Sequence, residues 1–92
     1  MTDAQKLADT FKLLSDGPRV RILQILRRRS LCVTELTSQL GISRPATSQH
    51  LRLLRNAGVV KPIKRGLFTY YLLDRKKVLL LRKAANELLS VE

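Results

Sequence analysis

The chain has 92 residues and a formal net charge of +11, from 18 Lys and Arg against seven Asp and Glu. This length predicts one domain that buries only about 60% of its unfolded surface, so a shared subunit interface would help to stabilise it. The charge exceeds what solubility requires and indicates a polyanionic partner, with nucleic acid as the first candidate and an anionic membrane surface as the second.

Signals for membrane insertion and secretion are missing from the sequence. No strictly apolar run exceeds four residues, as at Val78 to Leu81, whereas a membrane-spanning helix needs about 20. Residues Met1 to Asp9 are polar and acidic, unlike a signal peptide. The single cysteine, Cys32, excludes an intrachain disulfide and suits a reducing compartment. We therefore expect a cytoplasmic protein with no membrane partner.

The first two helices are predicted from their caps. Asp3 can accept hydrogen bonds from the first turn of a helix over about residues 4–14, whose apolar positions share one face. A second helix is predicted over about residues 18–28. Pro18 favours a helix start because it has no N–H to lose there, and Asp16 can cap the first turn. The second helix is apolar nearly all round, which predicts a place at the centre of the core.

A helix-turn-helix is predicted over about residues 34–58. Thr34 is expected to cap helix 3, and Gly41 ends it in the left-handed conformation that glycine adopts at low cost. Ser43 opens helix 4 and Gly58 ends it.

A basic hairpin, the wing, is predicted over about residues 59–73, with its tip at Lys64-Arg65-Gly66. Asp74 can cap a last helix that continues to about Leu89. Its apolar face is wider than a terminal helix on a monomer should expose. We therefore predict that this helix and the first one form a homodimer interface.

This order of elements predicts an all-α fold with a β-hairpin wing (α+β). It is a winged helix-turn-helix of five helices, a homodimer through helices 1 and 5, in one DNA-binding domain covering residues 1–92.

The N-terminus of helix 4 is predicted to enter the major groove of double-stranded DNA. Gln49 can bond the N6 and N7 edge of adenine, and Arg44 the O6 and N7 edge of guanine. Ser43, Thr47 and Ser48 are short enough to reach a base edge or a phosphate, although Thr47 also shares the apolar stripe of its helix.

Four basic residues are expected to contact the DNA backbone. Arg52 and Arg55 lie further from the start of helix 4 and should meet phosphates. Lys64 and Arg65 should straddle a phosphate ridge or enter a narrow minor groove, with a solvated turn as the alternative. For the run Arg27-Arg28-Arg29, a solvated helix end and a flanking phosphate contact both stay open.

Several motifs stand in register along the chain. They are Leu14-Ser15-Asp16-Gly17-Pro18-Arg19-Val20-Arg21-Ile22-Leu23, then Leu36 to Gly41, then Ser43, Thr47-Ser48-Gln49-His50-Leu51, Leu54 and Ala57-Gly58, and finally Gly66 with Tyr70-Tyr71 and Leu73. Together they resemble the ArsR-type family of bacterial transcriptional repressors, over about residues 5–90. The resemblance implies repression by a homodimer joined through its first and last helices, which leaves its operator when an inducer binds.

The inducer site of that family is where this chain departs from the pattern. Founding members carry Glu-Leu-Cys-Val-Cys-Asp-Leu, whose paired thiolates bind arsenite, antimonite, cadmium or lead. Here the matching stretch is Ser30-Leu31-Cys32-Val33-Thr34-Glu35-Leu36, with Thr34 in place of the second cysteine. A hydroxyl is no soft-metal ligand, and a lone thiolate cannot complete the coordination. The other common family site uses Asp and His on the last helix, whereas the only histidine here, His50, lies in helix 4. We therefore expect no metal at either site.

The effector is left open between oxidation of Cys32, an unusual metalloid, a small molecule and none. For Cys32 itself, packing as a small apolar side chain is favoured over a redox role, since no resolving cysteine exists in the chain. A disulfide between subunits is the remaining redox alternative.

The sequence contains no paired acid and base, no nucleophile beside a spaced histidine and no Gly-rich phosphate loop, so we predict no enzyme and no cofactor. The predicted function is sequence-specific transcriptional regulation by a repressor on an inverted-repeat operator. Two alternatives remain: a non-specific chromosome-coating DNA-binding protein, suggested by the charge, and a winged-helix module for protein-protein assembly.

Overall fold

The structure is a computed structural model that describes residues 3–91. Its elements are α1 (Asp3–Leu13), α2 (Gly17–Leu26), β1 (Leu31–Cys32), α3 (Val33–Leu40), α4 (Arg44–Asn56), β2 (Val60–Arg65), β3 (Phe68–Leu73) and α5 (Arg75–Leu89). This order confirms the predicted winged helix-turn-helix with five helices. Within residues 3–91, no helix combines the length and apolar character needed to cross a bilayer.

Three of the predicted helix caps are observed, namely Asp16, Ser43 and Asp74, and the starts of α1 and α3 differ from the prediction. Asp16 Oδ1 accepts a hydrogen bond from the Arg19 amide at 3.1 Å, and Asp74 Oδ1 accepts one from the Lys77 amide at 3.3 Å. Asp3 is already the first residue of α1, so it lies in the first turn rather than before the helix.

The prediction that Thr34 caps α3 is wrong, because the helix begins at Val33 and Cys32 occupies the cap position. The Glu35 carboxylate reaches back to accept a hydrogen bond from the Cys32 amide at 3.1 Å. This bond to the Cys32 backbone holds the pKa of Glu35 below its ordinary value of 4.5, since it favours the charged form. Helix α3 begins earlier than predicted, directly after the last residue of β1, Cys32.

The sheet has three antiparallel strands in the order β1-β3-β2, one more than the predicted hairpin. Leu31 pairs with Tyr71 and Cys32 with Tyr70, so β1 joins the wing to the helical part of the chain. A strand of two residues is too short to show a period of two, which explains why the sequence pattern does not reveal it.

The core lies between α2, α3, α4 and the base of the sheet. Its buried apolar residues are Ile22, Leu26, Leu31, Leu36, Leu40, Leu51, Leu54 and Val60. From α2 only Ile22 and Leu26 are buried, and Val20 is 39% exposed. Leu23 and Ile25 also pack against this core, so α2 takes its predicted place at the centre, with Val20 on an open side that it shares with Leu14 and Val78.

Gly41 and Arg21 terminate α3 just before the turn of the helix-turn-helix. Gly41 adopts φ 67°, ψ 29°, a left-handed conformation that costs glycine little. Arg21 donates hydrogen bonds from its guanidinium to the carbonyl oxygens of Gln39 at 3.0 Å and Leu40 at 3.3 Å. The positive charge of Arg21 thus lies at the C-terminus of α3, where the helix dipole favours cations.

Candidate nucleic-acid interface

Helix α4 presents its N-terminal end as an open polar surface. Ser43 caps the helix as predicted, with its Oγ accepting from the Ala46 amide at 3.2 Å. We use the term reading face for the predicted DNA-contact residues of this cap and helix that are exposed, namely Ser43, Arg44, Ser48, Gln49, Arg52 and Arg55. Several donors at one helix N-terminus, beside its positive pole, suit contact with phosphates and base edges.

Gln49 and Arg52 are linked on the reading face. Arg52 Nη2 donates a hydrogen bond to Gln49 Oε1. This contact orients the carboxamide with its oxygen toward Arg52 and its NH2 group away from it. The guanidinium keeps further N–H groups for a phosphate, so one contact links a candidate base-reading residue to a candidate backbone-binding residue.

Arg44 is held against helix α3. Its Nη1 donates to Thr34 Oγ1 at 2.8 Å, which ties the start of the second helix of the motif to the first turn of the first. Four N–H groups of an arginine remain after one such bond, enough for a bidentate contact with guanine. Thr34, predicted from the sequence to be a cap and to replace a family cysteine, is therefore a positioning partner of Arg44.

Thr47 does not belong to this surface, which corrects its assignment as a DNA contact. The residue is fully buried, and its Oγ1 bonds the Ser43 carbonyl at 3.1 Å and Thr37 Oγ1 at 2.9 Å. The bond from Thr37 joins α3 to α4, and the bond to the Ser43 carbonyl lies within the first turn of α4. Thr47 thus fixes the start of α4 against α3 and is not accessible to DNA. It lies on the buried side of α4, as its place in the predicted apolar stripe indicates.

The wing places its basic tip at the end of a regular hairpin. Arg65 pairs with Phe68, and the two-residue loop between them begins with Gly66 at φ 61°, as a type II′ turn requires. Lys64 and Arg65 are exposed, and the Arg65 guanidinium lies 5.7 Å from the centre of the Tyr70 ring. Stacking on this ring limits the positions that Arg65 can adopt, whereas no hydrogen bond, ion pair or ring contact within residues 3–91 restrains the Lys64 side chain.

Leu67 at the wing tip is a residue that the sequence interpretation does not single out. It is 96% exposed beside the basic pair. A large apolar side chain in this position could lie against a sugar or a base in a minor groove. The signal available in the sequence is only its position after Gly66 in a two-residue loop.

Cys32 is buried at 9% exposure in the strand β1, packed at the edge of the core. Among residues 3–91, no group of three or more His, Cys, Asp and Glu side chains is placed to share a metal ion within one chain. The hydroxyl of Thr34, in the position of the second family cysteine, accepts a hydrogen bond from a guanidinium. A positive charge at that point opposes a cation, so the residues present do not fit the soft-metal site.

Comparison with known proteins gives one consistent result. The family model described as "Bacterial regulatory protein, arsR family" matches residues 13–61. A transcriptional repressor SmtB homologue from Synechocystis sp. is 36% identical over 89 residues, covering 96% of this chain and 67% of that protein. A cadmium resistance transcriptional regulatory protein CadC homologue from Staphylococcus aureus is 41% identical over 73 residues, covering 78% of this chain and 60% of that protein. The solved structure of an ArsR-like transcriptional regulator from Rhodococcus sp. RHA1 superposes with a TM-score of 0.81 at 28% identity, covering 92% of this chain and 80% of that one.

Proposed function

This chain belongs to the ArsR family of bacterial regulatory proteins, and we propose that it acts as a homodimeric repressor on an inverted-repeat operator. Family membership makes it a DNA-binding transcriptional regulator and not an enzyme, as the sequence predicts. The observation that carries the finer proposal is the exposed reading face of α4 beside the basic wing tip. We assign residues 1–92 to one such unit, with the helix-turn-helix at about 34–58 and the wing at about 59–73.

The proposed dimer rests on the apolar surface of α1 and α5. Within the residues described, neither helix has a buried side chain, and Phe11, Leu80 and Leu88 are 41%, 64% and 57% exposed. The two helices are neighbours, since Leu7 of α1 and Leu81 and Leu88 of α5 line one cavity, and exposed apolar side chains on both of them indicate an interface. A two-fold axis through these helices would present two reading faces, so the operator should be an inverted repeat with half-sites about one helical turn or a multiple of it apart.

The proposed roles on the DNA follow from the contacts of each side chain. Gln49 and Arg44 read base edges, while Ser43 and Ser48 reach a base edge or a phosphate. Arg52, Arg55, Lys64 and Arg65 bind the backbone or a narrow minor groove and supply the salt-dependent part of the affinity. As a chromosomal DNA-binding protein it would work in the cytoplasm, with no membrane partner.

We propose that the effector is not a metal bound at the family's usual sites, although one relative is named for cadmium resistance. Two observations support this proposal: the chain has a single cysteine, and the Arg44 guanidinium donates to the Thr34 hydroxyl. Burial of Cys32 supports a packing role and disfavours direct oxidation, because a reactive thiol needs access.

Competition between DNA sequences tests the function. The purified protein is incubated with a fragment of about 200 base pairs from upstream of its own gene and with unrelated DNA of equal length, at about 150 mM salt. Selective retention of the upstream fragment, with protection of two symmetric half-sites from nuclease, is the expected result. A parallel sample with a thiol oxidant tests Cys32, and we expect it to bind DNA as the untreated sample does.

Equal retention of the upstream fragment and the unrelated DNA would favour the second candidate, a chromosome-coating protein, which the +11 charge suggests. Selection of preferred sequences from a random DNA pool separates it from a repressor whose operator lies elsewhere. A coating protein would enrich no motif, and an assembly module would bind neither DNA.

A further inference from the structure

A cavity of 440 Å³ opens between the end of α2, the base of β3 and the first half of α5. This volume lies within the range of about 300–1,000 Å³ that small-molecule sites occupy. Its floor is apolar, with Leu26 almost fully buried and Leu72 and Val78 half-buried. The reading face and the wing tip contribute no residue to it.

The rim of the cavity is strongly basic. Five arginines line it, namely Arg27, Arg28, Arg29, Arg75 and Arg82. No aspartate or glutamate from residues 3–91 is among the lining residues, and Glu35, outside the cavity, interacts with Arg29 alone among the five, so the rim carries a net positive charge. An anion bound in the cavity would offset the positive charge of these arginines.

The arginines of the two walls lie on α5 and directly after the end of α2. Arg75, Val78, Leu79 and Arg82 have the spacing 0, 3, 4 and 7, which puts them on one face of α5 with one arginine on each side of the two apolar residues. On the opposite wall, the amides of Arg27 and Arg28 donate to the carbonyl oxygens of Leu23 and Ile25, which continues the last turn of α2. Four of the five rim arginines therefore stand on hydrogen-bonded backbone, and Arg29 follows in the irregular segment before β1.

The cavity lies at the opposite end of β3 from the DNA-binding tip. Phe68 pairs with Arg65 at the tip, whereas Leu73 pairs with Val60 at the base. A strand of this length spans about 17–20 Å. The rim arginines are thus separated from the phosphates that the wing tip would contact, and neither bare phosphate nor a DNA backbone would use the apolar floor.

We propose that this cavity is a binding site for a small organic anion with an apolar body, of which a medium-chain carboxylate is the simplest example. The acid group pairs with the rim arginines, whose planar forks bind carboxylates in a bidentate manner, and the apolar part lies against Leu26, Leu72 and Val78. The proposal goes beyond DNA recognition and is tested without DNA.

The test is calorimetric titration of the full chain with decanoate at fixed salt. Decyltrimethylammonium, with the same chain length and opposite charge, and acetate, with the charge but little apolar surface, are the ligand controls. The test variant is Arg75→Gln/Arg82→Gln. Its matched control is Lys76→Gln/Lys83→Gln, which removes two charges from the same helix at positions that do not line the cavity. Arg28→Gln tests the opposite wall should the double variant fail to fold by circular dichroism.

The expected result is saturable binding of one decanoate per chain, little binding of either control ligand, and affinity at least about tenfold weaker in Arg75→Gln/Arg82→Gln alone. Equal weakening by the lysine variant would reduce the effect to net charge and overturn the proposal, as would equal binding of the cationic ligand. A rim variant that binds duplex DNA more weakly and decanoate normally would make the arginines DNA contacts, which also overturns it.

Discussion

Arg52 donates a hydrogen bond from its guanidinium to the side-chain oxygen of Gln49, three residues earlier on α4. The two residues therefore form one unit on the reading face, in which the carboxamide has a defined orientation before DNA binds. Preorganisation of this kind lowers the entropy that a contact loses on binding.

Replacing Gln49 by alanine should relax sequence preference at one base pair of the half-site. The lost bidentate contact should cost about 1–3 kcal/mol on the preferred operator and almost nothing on DNA changed at that pair. Competition at fixed salt measures both, and Gln24→Ala, at an exposed position of α2, is the control. Equal losses on all sequences would remove Gln49 from base recognition.

Replacing Lys64 by alanine should weaken binding to all duplexes nearly equally and reduce the slope of log affinity against log salt by about one. The reason is that a backbone contact releases a counterion without reading sequence. Lys61→Ala removes the same charge from the exposed base of the same strand and should leave the slope unchanged. Were the two variants to behave alike, the tip would act only through net charge.

Replacing Thr47 by valine should destabilise the fold rather than alter sequence preference. The change keeps the side-chain volume but leaves the Thr37 hydroxyl without its acceptor, at a cost of about 1–3 kcal/mol, while the Ser43 carbonyl keeps its bond from the Thr47 amide. Urea denaturation measures the loss, and Thr47→Ser, which keeps the hydroxyl, is the comparison. An altered operator preference with unchanged stability would return Thr47 to the DNA surface.

The paired substitution Phe11→Glu/Leu80→Glu should convert the proposed dimer to a monomer, because it places charges on the exposed apolar surfaces of α1 and α5. Light scattering after size-exclusion chromatography gives the mass directly. Leu67→Glu adds a charge at the 96% exposed wing tip and should leave the mass unchanged. A wild-type chain that is already monomeric would contradict the interface.

Glu35 should contribute stability at neutral pH that disappears in acid. Its hydrogen bond from the Cys32 amide lowers the pKa of the folded state below 4.5, so the carboxylate stabilises the fold above that value. The contribution is lost as the pH falls through the lowered pKa. Urea midpoints of the wild type and Glu35→Ala should therefore differ near neutral pH and converge in acid.

The variant Glu35→Gln separates charge from geometry at the same position. Its side-chain oxygen can still accept from the Cys32 amide, as in a capping box. We expect it to lie between the wild type and Glu35→Ala near neutral pH and to lack the pH dependence that Glu35 adds. A constant difference between wild type and Glu35→Ala at every pH would exclude the titration of Glu35 as its cause.

The helix-turn-helix and the wing were open to prediction because their signals are local. Ser43 caps α4 through a bond to the amide three residues away, and Gly41 and Gly66 adopt positive φ where the spacing of the elements requires turns. Caps, turns and apolar periodicity depend on neighbours within a few residues, so they are visible in one dimension.

The sequence by itself determined the order of the elements, the basic tip, and the polar N-terminus of α4, since each follows from residues adjacent in the chain. Only the tertiary structure decided that Thr47 lies under the reading face, that Thr34 positions Arg44, and that two residues at β1 complete the sheet. The same holds for the cavity, whose arginines come from two segments more than 40 residues apart in the chain. These relationships join residues that are distant in sequence, and packing alone determines which side chains meet.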